Sequence, residues 1–395
     1  MTSERAIVIC PVVPYPEVGG GHKRTMRLLE TIEAAGVTPH LLTTDGRDAA
    51  GVAALRSRGW VVEVLPDAPI TALRRARQHA RRLPSPFLPT VAARLRELVA
   101  EGCAFVQVEH TQSAYYARAI GATPWVLSLH NVDSGLMRSV VRSQRPSRAW
   151  VGSLNRWLAL RTVERRAVPR AHTVMCVSEE DRRQLARLTQ RVVVIPNGVD
   201  DAFFEVPAEL PPDETVLFFG QYDYTPNALG IERFLRQGWP LVAQQRPEAR
   251  LRLVGGGMSS RLRALAERVE RVETVGFVEE LAGELASSRV VLVPIWAGGG
   301  TRLKALESLA AARPVAGTPL GMEGIGFEAG VHGELGHDPA ELARLTVDLL
   351  ADDSRACRLA AAGRELAERF RWERVTAPAV RIYRELAELR TNVHG

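Results

Sequence analysis

Two stretches of the chain join glycine runs to the residue types that hold phosphate. Gly19-Gly20-Gly21-His22-Lys23-Arg24 follows one apolar run, and Gly298-Gly299-Gly300-Thr301-Arg302-Leu303-Lys304 follows another. Glycines at a strand-to-helix turn let backbone N–H groups approach an anion, and the helix N-terminus adds its dipole. Lys23 and Arg24 in a first helical turn oppose that dipole, so they are expected to face a ligand. Arg302 and Lys304 have the charge to neutralise a diphosphate. Glu307 lies two helical turns in from Gly300, where a carboxylate can accept both hydroxyls of a ribose. The competing readings are a solvated loop at 19–24 and a solvated helix-face carboxylate at Glu307. The first stretch is not a P-loop, because the Gly-x4-Gly-Lys-Ser/Thr spacing is missing. His130 ends a third apolar run and would point into the space outside a strand's carboxyl end; a structural histidine is the alternative.

Lysine usage sharpens the first reading. Lysine and arginine together number 51, yet Lys23 and Lys304 are the only lysines. A bias toward Ala, Arg, Gly and Pro replaces lysine wherever arginine serves, and both survivors sit beside glycine runs.

These residues need elements to position them. Ala6–Cys10, His40–Thr44, Val61–Leu65, Phe105–Glu109, Val126–His130 and Thr173–Val177 read as strands, separated by helical segments such as Thr25–Ala35 and Val91–Glu101. A second series follows: Thr215–Phe219, Leu251–Val254, Glu273–Phe277, Val290–Ile295 and Pro314–Gly317. Its helices are expected at Gly230–Gln237, Ser259–Val269, Glu280–Ser287 and Arg302–Ala311. Strand–helix alternation implies parallel sheets covered on both faces, an α/β fold. The Pro-, Asp- and Gly-rich stretch from Pro196 to Asp213 has the composition of a linker. The expected layout is a Rossmann-like domain over 1–195, a linker at 196–213 and a second Rossmann-like domain over 214–370, with 371–395 as a closing segment. Ligands on such sheets bind outside the carboxyl ends of the strands, so facing domains would share one cleft.

Composition excludes other classes. The chain has 395 residues, 46% hydrophobic and 24% charged, which leaves no room for collagen-like, disordered or disulfide-framework readings. No apolar run of about 18 residues appears, and the N-terminus lacks the marks of a signal peptide. Cys10, Cys103, Cys176 and Cys357 are far apart and read as reduced thiols of a cytoplasmic protein. Asp200-Asp201 and Asp352-Asp353 have no His or Cys beside them and read as turn and cap residues, so no metal is expected. The net charge of +6 permits binding to phosphates or an anionic membrane. The arginines are too dispersed for a nucleic-acid motif. Five arginines within Thr71–Arg82 read first as a solvated basic face near the acceptor opening. The sharper alternative is a docking surface for an anionic membrane or a lipid-diphosphate acceptor, with weak, salt-sensitive binding expected.

Nearly the whole chain resembles the retaining GT-B glycosyltransferases of family 4. The resemblance is carried by Pro14-Tyr-Pro and the glycines at 19–21, His130-Asn131, Cys176-Val-Ser178-Glu, Val194-Ile-Pro-Asn-Gly-Val-Asp200 and Gly255-Gly-Gly257. It continues through Val275-Gly-Phe277-Val, the Gly-Thr-Arg-Leu-Lys-x-Leu-Glu run at 300–307, Phe370-Arg-Trp372-Glu and Tyr383. It implies a transferase moving a sugar from a nucleotide-diphosphate sugar to a hydroxyl acceptor (saccharide, lipid-linked or small molecule), with retention and with neither metal nor cofactor. It also implies that His130 contacts the transferred sugar. Gly20, Gly21, Gly220, Asn227, Gly300, Thr301, Arg302, Lys304 and Glu307 would border the donor, and His22, Lys23 and Arg24 the acceptor. The segment at about Trp372–Leu389 would form a helix crossing back to the first domain.

Two departures stand out. Gly299 occupies the place, eight residues before Glu307, where many members have a first Glu. Gln221-Tyr-Asp-Tyr-Thr-Pro226-Asn227 stands where many have an Arg and a Lys. Both resemble a subgroup of exopolysaccharide-type sugar transferases, in which Arg302 and Lys304 would replace the missing cations. A GT-B nucleotide-sugar epimerase or phosphorylase, and a non-catalytic nucleotide-sugar binding protein, remain as alternatives.

Overall fold

The computed structural model describes residues 4–17, 19–44, 48–65, 89–143, 148–297 and 303–391. Two units emerge: Met1–Pro196 with Thr376–Gly395, and Asn197–Val375. The basic segment at 71–82 and the glycine run with Thr301 and Arg302 lie outside the described residues.

The first unit holds β1 (Arg5–Cys10), β2 (Thr38–Thr43), β3 (Val61–Val64), β4 (Phe105–Glu109), β5 (Trp125–Ser128), β6 (Thr173–Cys176) and β7 (Val192–Val194). They form one parallel sheet in the order β3-β2-β1-β4-β5-β6-β7. The second unit holds β8 (Thr215–Phe219), β9 (Arg250–Val254), β10 (Val272–Gly276), β11 (Val290–Val293), β12 (Val315–Gly317) and β13 (Glu334–Leu335). Its order is β10-β9-β8-β11-β12-β13, again parallel throughout.

Strand alternation sorts each sheet's side chains into two cores. In β1, Ile7 and Ile9 join Val91, Leu95 and Leu98 of the Pro89–Glu101 helix. Ala6, Val8 and Cys10 join Met26, Leu29 and Ile32 of the Gly20–Ala34 helix on the other face. In β8, Val216 and Phe218 enter one core and Leu217 and Phe219 the other. The central strands are buried on both faces, which is why they read as near-continuous apolar runs, whereas β3, β7 and β10 at the edges are only partly covered.

The stretch from Pro196 to Asp213 is not a free linker. Val199, Phe203, Phe204 and Val206 are buried in the second unit's core. Its carbonyls are held by arginines: Arg313 donates to Pro207 and Glu209, Arg364 to Phe204 and Val206, and Arg289 to Pro211. Interspersed prolines and acids disguised an apolar strap as a linker. Strands β7 and β13 escaped the sequence reading because three and two residues carry no period. The closing helix runs over Trp372–Thr391, and from Thr376 onward it belongs to the first unit. Asp352 caps the Asp353–Ala367 helix by accepting from Arg355 N at 2.9 Å. Cys10, Cys103 and Cys176 are buried free thiols, and Cys357 is exposed. Among the described residues no helix is long and apolar enough to cross a membrane.

The Ile-Pro-Asn-Gly-Val-Asp run meets Trp372 at its glycine. A Cβ on Gly198 would lie 2.5 Å from Trp372 Cδ2, and Val199 N donates to Phe370 O at 2.7 Å. The indole packs flat where only hydrogen fits. Gly198→Ala should therefore destabilise the protein by roughly 1–3 kcal/mol through overpacking. Chemical denaturation followed by tryptophan fluorescence checks this, and an unchanged midpoint would contradict it.

Candidate functional site

In the first unit the strand order reverses between β1 and β4, the place where a parallel sheet opens a crevice beyond its carboxyl ends. The Gly20–Ala34 helix starts beside that point, with Gly19 as N-cap and Lys23 N donating to Gly19 O at 3.0 Å. The glycines thus lie in the helix's first turn, earlier than the expected start at Thr25. His110 follows β4 directly and His130 follows β5 by two residues. Their rings lie against one another in a tilted contact, with centroids 3.9 Å apart and planes inclined 37°. A Cβ on Gly21 would lie 3.5 Å from His130 Nδ1 and 4.0 Å from His110 Cε1, so the first turn runs beside both rings.

Behind His130 lies a buried polar chain. His130 Nε2 is 2.8 Å from Glu109 Oε2, Gln107 Nε2 donates to Glu109 Oε1 at 2.5 Å, and the Tyr383 hydroxyl donates to Gln107 Oε1 at 2.6 Å. Alternation in β4 places Phe105, Gln107 and Glu109 on one face, where Tyr383 stacks on Phe105 at 5.3 Å. Burial pushes the Glu109 carboxyl up, opposed by His110 and Arg24. Burial, helped by Arg24 and His22, holds His130 well below the ordinary histidine value, and burial also lowers His22. The imidazole of His130 is therefore neutral at physiological pH.

Arg24 corrects the expectation that it faces an acceptor. It is 1% exposed, and Nη1 donates to Ile195 O at 2.7 Å and Pro196 O at 3.3 Å. Its position in the helix turns it onto the sheet, where it serves the interior. His22 and Lys23 are partly buried in the same first turns.

The second unit reverses its strand order between β8 and β11. Gly220 follows β8 with φ 144°, and a Cβ there would lie 2.8 Å from Asn227 Nδ2 and 3.1 Å from Lys304 Nζ. Asn227, in the first turn of the Thr225–Gln237 helix, donates from Nδ2 to Gln221 O at 2.7 Å. Its Oδ1 accepts from Lys304 Nζ at 2.8 Å, and that ammonium also lies 4.1 Å from the centre of the Phe218 ring. Lys304 and Glu307 both belong to the Leu303–Ala310 helix, and Glu307 is 6% exposed, which removes the solvated-face reading. Of the residues expected at the donor, Gly220, Asn227 and Lys304 are brought together, with Glu307 one turn on. Gly300, Thr301 and Arg302 lie outside the described residues.

Glu109, Gln107 and His110 were missed in the sequence. Their signal was present: Phe-Val-Gln-Val-Glu-His places polar residues at alternate positions of a strand buried on both faces, which is costly without partners. Among the described residues no group of acidic, His or Cys side chains has the geometry of a metal site.

Two parallel α/β units, each with polar groups gathered at its switch point, define the GT-B class. Sucrose-phosphate synthase from Thermosynechococcus elongatus superposes with a TM-score of 0.73 at 23% identity, covering 97% of this chain and 99% of that one. Anabaena HepE in complex with UDP-glucose gives 0.69 at 16% identity, covering 98% and 100%. At such identities the likeness concerns the fold. The family described as Glycosyltransferase Family 4 matches residues 18–203, and Glycosyl transferases group 1 matches 213–352. The chain belongs to this family of glycosyltransferases. It is 30% identical over 231 residues to the phosphatidyl-myo-inositol mannosyltransferase of Mycobacterium tuberculosis, a match covering 54% of this chain and 59% of that protein. It is 30% identical over 254 residues to the D-inositol 3-phosphate glycosyltransferase of Thermobispora bispora, covering 57% and 58%. The chain thus aligns with less than two thirds of each relative's length.

The two histidines in contact set a pH dependence. Burial, with His130 beside it, holds His110 down to about 3. A folded value below the unfolded one means the unfolded chain takes the proton first. The stability from neutral His110 is fully present above about 6.5 and is lost as pH falls toward 3. Between pH 6.5 and 5 this one group should remove roughly 2 kcal/mol. His110→Asn tolerates the positive φ of 66° and should flatten the loss of stability with acid. Denaturant titrations at both pH values test it; parallel slopes in wild type and variant would refute it.

Proposed function

We propose that this chain moves a sugar from a nucleotide-diphosphate sugar to a hydroxyl acceptor, with retention of anomeric configuration and without a metal. One observation carries the reading. Lys304, held beside Gly220 by Asn227, and the buried Glu307 lie one turn apart on a single short helix at the second unit's switch point. A cation and a sheltered carboxylate at that spacing suit the diphosphate and ribose of one nucleoside diphosphate. The relatives, a mannosyltransferase and a glycosyltransferase, support it, and HepE, of like fold, is known in complex with UDP-glucose.

In this reaction the bond from the anomeric carbon to the diphosphate breaks as an oxocarbenium-like sugar develops. The departing phosphate oxygen takes the acceptor's proton, and the acceptor oxygen bonds on the same face, so configuration is retained and no protein nucleophile is required. Lys304 meets the charge growing on the diphosphate, work that preorganised charged groups do well. Neutral His130 serves as a hydrogen-bonding group toward the sugar. The basic segment at 71–82 would add weak, salt-sensitive association with anionic membrane surfaces.

Lys304→Ala should weaken nucleoside diphosphate binding by roughly 10- to 150-fold, the worth of a charge-assisted contact, while leaving nucleoside binding nearly unchanged. Calorimetry with UDP or GDP against uridine or guanosine checks this, and equal losses would remove the phosphate role. His130→Ala should lower turnover by at least about 100-fold with nucleoside diphosphate affinity within about twofold. Incubation with UDP-, GDP- and dTDP-sugars, following nucleotide release and the product's anomeric signal, tests the reaction itself. An inverted product would end the proposed mechanism, and release with none of the donors would leave a binding protein.

A further inference from the structure

We propose that Glu109 is a positioning residue that holds His130 as the Nε2–H tautomer, leaving Nδ1 as a hydrogen-bond acceptor facing the Gly20–Gly21 turn. The inference deepens the transferase reading and rests on it only for what His130 acts upon.

The direction of the buried chain can be followed from its far end. Tyr383 is enclosed, burial raises its phenol far above neutrality, and its O–H donates to Gln107 Oε1 at 2.6 Å. An amide whose oxygen is taken must turn its N–H₂ the other way, and Gln107 Nε2 lies 2.5 Å from Glu109 Oε1. Glu109 therefore receives a donor on one oxygen. Its other oxygen lies 2.8 Å from His130 Nε2. Burial raises the Glu109 carboxyl, and the buried Arg24 guanidinium opposes that rise and favours the carboxylate. A neutral imidazole carries one N–H, and a carboxylate opposite Nε2 draws it there.

The ring is also held in place. His110 lies against it at 3.9 Å, fixed by a positive φ of 66° at the end of β4. Nδ1 then faces the first helical turn, 3.5 Å from where a Gly21 Cβ would sit. An unprotonated Nδ1 receives a hydroxyl donor from a sugar and repels a carbonyl or phosphate oxygen.

Glu109→Gln separates this role from mere packing. Gln107 N–H still requires an acceptor, so the new amide's oxygen turns to it and its N–H₂ faces His130 Nε2. The ring proton must then move to Nδ1, presenting a donor where an acceptor stood, with the shape nearly conserved. The test is long-range ¹H–¹⁵N correlation of the full chain labelled with ¹⁵N-histidine and free of ligand, with His130→Ala used for assignment. We expect Nε2–H in the wild type and Nδ1–H in Glu109→Gln, with kcat for sugar transfer lower by at least about tenfold and donor KM within about twofold. A wild-type ring protonated on Nδ1, or on both nitrogens at neutral pH, would overturn the inference, and that measurement does not depend on Glu109→Gln folding. A folded Glu109→Gln that keeps Nε2–H would overturn it equally. Because the tautomer is read without turnover, a wild type showing Nε2–H but no transfer with any donor would sink the transferase reading and leave this one standing.

Discussion

Parallel pairing governs both sheets. Every strand runs the same way as its neighbours, so no strand can return by a hairpin and each must be followed by a crossover on one face. All carboxyl ends therefore collect along one edge of a sheet. Where the order reverses, at β1/β4 and β8/β11, successive crossovers leave toward opposite faces and that edge is left open. Gly19–Arg24, His110 and His130 stand at or near the first such point, and Gly220, Asn227 and Lys304 at the second. Side chains at strand ends can present polar groups without disturbing the ladder or the apolar cores beneath.

Burying charge next to these points has a structural consequence. Glu109 and Arg24 are both enclosed, and each alone would cost several kcal/mol. Glu109 is met by Gln107 and His130, and Arg24 by the carbonyls of Ile195 and Pro196. The second unit applies the same rule with arginines on backbone. Arg313 is wholly buried and donates to Ala311 O at 2.9 Å as well as to the strap carbonyls. Unbonded carbonyls of a proline-rich strap and unpaired guanidiniums would each be unfavourable, and together they satisfy one another. The polar interior thus ties the chain's long-range connections, while apolar layers supply most of the driving force.

Much of this could be read from residue order. Continuous apolar runs such as Ala6–Cys10 and Val290–Val293, alternating with Arg/Ala/Leu helices, determine parallel α/β sheets because strands covered on both faces look like that. Lysine usage also singled out Lys304, which the fold sets beside Gly220 and Asn227. Other features depend on partners far away in the chain. Gly198 answers to Trp372, and the apolar residues among the prolines of 196–213 answer to a core and three arginines contributed by later segments.

Arg24 shows the limit most plainly. Beside Lys23 it looks like a ligand-facing cation, but one step along a helix rotates a side chain by about 100°, enough to move it from an exposed face to the sheet. Which residue faces inward is set by the helix's docking on the sheet. Residue types and local spacing determined the fold class. Tertiary structure alone decided that Tyr383, Gln107 and Glu109 form one chain behind His130, because hydrogen bonds spanning 276 and 21 positions leave no periodic trace in the sequence.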